Sequence, residues 1–171
     1  MAALYLIPNG PSPTTAAQVV VTTGTAIKTL LQVQSSATMG LKIVEWGISF
    51  DGAAHAAGIK CELIETDVAA TVTAHVTAGI VRLNADAVQG GDPVTNRILV
   101  VTEATGYTAS AEDTTTASRV FDVQLVSPAG SYLKQFPLGR EPYMKPGSFW
   151  TRVRVTAAAA VNAYCYIVVE A

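Results

Sequence analysis

The chain has 171 residues, of which 50% are hydrophobic and 14% charged, and a formal net charge of -2. That length makes one ordinary domain, able to bury roughly 70% of the surface an unfolded chain exposes, and the composition excludes disorder. A pI near 5.6 excludes a global electrostatic footprint for nucleic acid, while a mean hydropathy of +0.34 suits a surface partly covered by another chain.

Residues 1–17 open with "MAALYLIPNGPSP", which has no basic n-region and an apolar run broken by Pro8, so no signal peptide is expected. The prolines predict an extended arm over 1–17, followed by a single domain over 18–171. Short β-branched runs then follow: "QVVVTT", "AIKTLLQVQ", "LKIVEWGISF", "IKCELIET", "GIVRLN", "RILVVTE", "RVFDVQLV", "SYLKQF", "FWTRVRVT" and "VNAYCYIVVE". Turn signals separate them at Thr23-Gly24, Met39-Gly40, Asp51-Gly52, Gly90-Gly91-Asp92-Pro93, Pro128-Ala129-Gly130 and Pro146-Gly147. This punctuation predicts an all-β fold, an antiparallel β-sandwich of jelly-roll type.

Alternation assigns faces. Val44, Trp46, Ile48 and Phe50 share one side of their strand, and Phe121, Val123 and Leu125 oppose Asp122 and Gln124; both apolar sets are core candidates. Residues 67–79 mix alanine with β-branched residues and read as a loop-like or edge segment. Residues 104–118 are small and polar and read as a surface loop. The apolar tract near the end, "AAAAVNAYCYIVV", is shorter than the roughly 20 residues of a bilayer span. No membrane partner is expected.

Catalytic chemistry has little to stand on. The only histidines, His55 and His75, form no H-x-H pair, and a cupin-type metal site needs more. No G-x-S-x-G elbow accompanies the many hydroxyls. Glu62, Glu65 and Asp67 read as a solvated strand edge, "SAEDTTT" lacks the spaced oxygens of a calcium loop, and "QGGDP" is a turn without the G-K-[ST] of a phosphate loop. Cys61 and Cys165 sit in apolar runs as small buried hydrophobes, with a disulfide between them left open. The expectation is a protein with no catalytic residue, metal or cofactor.

The stretch "FPLGREPYMKPGSFWTRVRV", residues 136–155, is different. Pro146-Gly147 suits a tight turn, and the strand after it sets Phe149, Thr151, Val153 and Val155 against Trp150, Arg152, Arg154 and Thr156. Trp and Arg are the residue types enriched at binding hot spots. Either Trp150, Arg152 and Arg154 face a partner, or Trp150 packs beneath a loop and the arginines are ordinary solubilising charges. In the first case Trp150→Ala with Arg152→Ala weakens assembly more than stability. Tyr164 and Tyr166 leave the last strand apolar on both faces, which also points to cover by a second layer or subunit. With Arg140 and Tyr143 ahead of the turn, these residues make up the candidate interface.

The run "PYMKPGSFWTRVRVTAAAAVNAYCYIVVE", with the earlier "GLKIVEWGISFDGAAHAAGIKCELIET", resembles small jelly-roll structural proteins of tailed phages. The resemblance covers about half the chain and consists of turn-and-strand grammar, so no functional residue carries over from it. It implies a head-decoration (cement) or minor capsid protein on the virion surface, made in the host cytoplasm and self-associating, as a trimer in many such proteins. The expected partners are further copies of the chain and the major capsid protein or another virion protein, with no nucleic acid. The alternative from the residues is a receptor- or carbohydrate-binding module using Tyr107 or Trp150 as an aromatic platform.

Overall fold

A computed structural model describes residues 2–13, 15–53, 56–84, 96–100 and 103–171. The turn expected at Gly90–Pro93 and the loop residue His55 lie outside the described residues. The strands are β1 (Leu4–Pro8), β2 (Val21–Thr22), β3 (Ile27–Val33), β4 (Leu41–Phe50), β5 (Ile59–Thr66), β6 (Thr71–Ala74) and β7 (Val81–Arg82). They continue with β8 (Gly106–Ala111), β9 (Ser118–Val126), β10 (Ser131–Gln135), β11 (Tyr143–Met144), β12 (Trp150–Thr156) and β13 (Asn162–Glu170). A 3-10 turn spans Thr77–Gly79.

Two antiparallel sheets pack face to face as a sandwich. The first runs β10-β4-β13-β1-β7, with β11 beside β4 and β2 beside β13; the second runs β6-β8-β3-β12-β5-β9. Inward side chains of both sheets, among them Tyr5, Leu31, Trp46, Leu63, Val153 and Ile167, form one buried cluster. Cys61 and Cys165 belong to that cluster as free thiols, and burial pushes the Cys61 thiol up to about 12.

The expected arm is corrected at its start. Leu4–Pro8 lies between β13 and β7, with Tyr5 and Ile7 fully buried. The alternation within "LYLIP" drives this burial, and Pro8 is tolerated because it closes the strand. Asn9 continues the stitching: its amide N–H donates to the Cys165 carbonyl at 2.9 Å, and its side-chain oxygen accepts the Cys165 N–H at 3.1 Å.

Two bulges correct the expected faces. In β4 the pairing with β13 jumps from Glu45 to Ile43, leaving Val44 unpaired and half-buried, so the core set is Leu41, Ile43, Trp46, Ile48 and Phe50. In β9 the pairing with β5 jumps from Asp122 to Val120 across Phe121. One extra residue inverts the alternation beyond it. Phe121 packs on the core, but Val123 and Leu125 turn outward at 44% and 74% exposure. The inward Asp122 carboxylate accepts hydrogen bonds from Trp46 Nε1 at 3.2 Å and the Tyr132 hydroxyl at 2.9 Å. An inward-pointing charge on an outermost strand also discourages indiscriminate edge pairing.

Residues 104–118 differ from the expected loop, because Gly106–Ala111 pairs with both β3 and β6. Its small residues suit that close approach: a Cβ on Gly106 would run into the Thr73 carbonyl. Residues 67–79 do supply an edge, since β6 ends the second sheet. The run "RILVVTE" contributes buried Ile98, which bridges Ser35.

His75 pins the end of β1. Its Nε2 lies 2.7 Å from the Pro8 carbonyl oxygen, its ring meets Tyr107 edge-on at 4.9 Å, and its Nδ1 is buried without a partner. Burial pulls its pKa below the ordinary value, although the Pro8 bond opposes the shift. As pH falls the unfolded chain takes up this proton first, so the stabilisation is present above about 6.5 and declines as pH falls through the folded pKa. Chemical unfolding at pH 7.5 and 5.5 is expected to give a lower midpoint at the acid value, with the slope reduced in His75→Gln.

Candidate interaction surface

The outward side of β12 is closed by the chain itself. Arg152 is fully buried. Its Nη1 donates to the Glu112 carbonyl at 3.2 Å and lies 3.4 Å from the Glu112 carboxylate, while Nη2 donates to the Val68 carbonyl. Glu112 also accepts the Thr29 hydroxyl at 2.7 Å and the Thr29 amide. Beside Arg152 across the β3–β12 ladder, the Gln32 side chain donates to Glu103 O at 2.8 Å and accepts the Ala70 N–H at 2.7 Å. Trp150 is half-buried, and its indole N–H donates to Glu103 O at 3.1 Å. The segment around 67–70, with Glu103 and Glu112 at the two ends of β8, thus covers the outer side of β3 and β12.

Arg152 thus meets neither solvent nor a partner, which departs from both readings of this strand, and Trp150 leans on its own chain. A guanidinium out of water needs acceptors of its own, and the covering segments bring carbonyls and a carboxylate to it. Burial pulls the Arg152 pKa down, and the Glu112 charge opposes that shift. Arg154, farther along, is half-buried and paired to Glu62 at 2.9 Å. Glu62 and Glu65 are likewise not solvated: Lys60 and Arg154 bracket Glu62, and Arg119 holds Glu65 at 2.9 Å. Burial alone would raise the Glu62 pKa, but its bonds to Lys60 and Arg154 hold it below the ordinary carboxylate range.

The outer face of the first sheet has no such cover among the described residues. Ladder registers lay Leu133, Gly47, Tyr166 and Pro8 in one row, and Gln135, Glu45, Val168, Leu6 and Val81 in the next. Leu133 is 58% exposed and Val81 41%. Tyr166 lies across Gly47, where a Cβ would stand 2.7 Å from the ring. Its hydroxyl donates to Glu45 at 2.5 Å, and the same carboxylate accepts Gln135 Nε2 at 2.6 Å, so the ring is held in place. Burial, then the Glu45 bond, push the Tyr166 phenol up. Tyr164 follows with its ring centroid 6.3 Å away.

Two hollows indent this face. One, of about 150 Å³, is lined by Gly47, Leu133, Tyr164 and Tyr166. The other, of about 330 Å³, is lined by Leu4, Val44, Phe136, Leu138, Glu141 and Glu170, with Leu138 93% exposed. Arg140 sits in the exposed turn whose amide bonds back to Pro137 at 2.9 Å, and Tyr143 is 48% exposed on β11. The candidate residues therefore divide. Tyr164 and Tyr166 share the open face, Arg140 and Tyr143 lie at its β10–β11 side, and Trp150, Arg152 and Arg154 belong to the other sheet.

Sequence reasoning missed Leu133, Leu6 and Val81 as surface residues. The alternation in "SYLKQF" carried the signal for Leu133, since Tyr132 is the inward member that packs on Trp46 at 5.4 Å. Neither aromatic suggested as a sugar platform stands free: Tyr107 packs on His75, and Trp150 is tied to Glu103.

Comparison with protein-family models, with curated proteins and with solved structures finds no match to this chain. Among the described residues no group of three or more His, Cys, Asp or Glu side chains could hold a metal ion, and no helix is long and apolar enough to cross a membrane.

Arg152→Ala is expected to lower stability by about 2–3 kcal/mol, because it strips charged hydrogen bonds from buried acceptors. Arg154→Ala, at a half-exposed pair, costs under about 1 kcal/mol. Denaturant unfolding of the two variants measures the difference.

Proposed function

We propose that the chain is a non-enzymatic virion structural protein that self-associates and binds the capsid surface, as a head-decoration or minor capsid protein. The observation that carries this reading is the open outer face of the first sheet, where large apolar and aromatic side chains stand among Gln135, Glu45, Lys42 and Glu170. Antiparallel sheets that face water alternate apolar-in with polar-out, and a broad apolar patch marks a protein interaction site. Here the outward rows hold Leu133, Tyr164, Tyr166, Leu6 and Val81.

Strand order supports the jelly-roll reading. Taking β1, β3, β4, β5, β9, β10, β12 and β13 as the eight principal strands, β10-β4-β13-β1 faces β3-β12-β5-β9. That is the order in which a jelly roll lays down its two Greek keys, an architecture used in viral capsid and lectin domains. Function on this reading comes from repeated burial of roughly 800 Å² per partner, with no chemical step. The trimeric state and the virion location belong to the same proposal.

Light scattering after size-exclusion chromatography, with co-sedimentation on virus particles, tests it. The wild type is expected to be oligomeric and particle-bound. Tyr164→Asp is expected to be monomeric and unbound, with a cooperative unfolding transition that shows it is still folded. A monomeric wild type that does not bind capsids overturns the proposal, and so does a Tyr164→Asp variant that assembles normally.

A further inference from the structure

We propose that the open face of the first sheet is covered by the β9 flank of a second copy, so that subunits join head to tail. This rests on the self-association argued above and names the two surfaces that meet. The flank is the outer side of β9 and β5. It displays Val120, Val123 and Leu125 at 58%, 44% and 74% exposure on the outermost strand of the second sheet. The open face offers the complementary shape, with its hollows over Gly47 and beside Leu138.

Charge selects the pairing. The open face carries the carboxylates Glu45, Glu141 and Glu170, with Lys42 in the row of Glu170 and Arg140 at the rim. Lys60 and Arg154 border the flank around Glu62, two cations to one carboxylate. Carboxylates predominate on one surface and cations on the other. A two-fold contact would place either surface against itself, like charge on like. A head-to-tail contact places acidic face on basic flank, and like-charge juxtaposition is the stronger discriminator between wrong and right partners. Such a heterologous contact closes into a ring where its rotation allows, and a ring of three requires it.

Mixing two complementary variants tests the pairing. Leu133→Asp damages only the face, and Leu125→Asp only the flank; both positions are exposed, and unfolding midpoints near the wild-type value establish that each variant is folded. Each alone is expected to stay monomeric, and an equimolar mixture to form a one-to-one dimer that grows no further, because one intact face meets one intact flank. A second, charge-based pair serves if either aspartate variant unfolds. Glu170→Lys or Lys60→Glu alone is expected to weaken self-association by about tenfold, and the mixture to recover part of that loss. A Leu125→Asp variant that assembles like wild type overturns the head-to-tail pairing. A mixture that remains monomeric overturns it as well. A wild type that never self-associates sinks the functional reading itself, which keeps the two failures distinguishable.

Discussion

The buried guanidinium of Arg152 determines what each side of the sandwich can do. Removing such a charge from water costs several kcal/mol unless every exposed donor finds an acceptor. The chain meets most of that demand: Glu112 and the Val68 carbonyl take the two Nη groups, while Nε stays buried without a partner. Those acceptors come from two segments far from β12 in sequence, so both must reach the outer side of β12. That sheet is thereby closed by its own chain over β3 and β12. Partner binding through a sheet face is left to the other layer, where Leu133, Leu6 and Val81 stand among Gln135, Lys42 and Glu170 and where Glu45 fixes the ring of Tyr166.

The edges follow a related logic. At one side of the sandwich β9 and β10 are the outermost strands of their respective sheets, and the turn at Gly130, whose amide bonds to Ser127 at 2.9 Å, joins them. The bulge at Phe121 turns Asp122 inward to serve Trp46 and Tyr132, and the same inversion pushes Val123 and Leu125 outward. One inserted residue thus both satisfies an interior polar cluster and creates an apolar flank. Trp46 connects the two: it is a core residue whose N–H bond holds the edge strand in register.

Much of this architecture is legible in the residues. Turn chemistry marked Pro146-Gly147, and Gly147 has a φ of 78°, a left-handed conformation that side chains resist. The period-2 pattern identified the strands, the inward Thr151, Val153 and Val155, and the two-faced character of the strand bearing Tyr164 and Tyr166. Bulges were not legible, because an unpaired Val44 or Phe121 differs from its neighbours only in its pairing partners. Burial of Arg152 was not legible either. Alternation places a side chain on a face, but whether that face meets water depends on segments roughly 40 to 85 residues away in sequence. The first strand was hidden by the prolines that follow it, although "LYLIP" alternates as well as any other run.

Hydroxyl-radical footprinting of the free protein and of the protein assembled on its particle tests the central claim, that the first sheet's outer face is the buried surface and the second sheet's cover is intrinsic. The account predicts that Tyr164, Tyr166 and Leu133 are modified in the free protein and protected on assembly, while Trp150 changes little between the two states. Equal modification of Tyr164 and Tyr166 in both states, with new protection at Trp150, would contradict it.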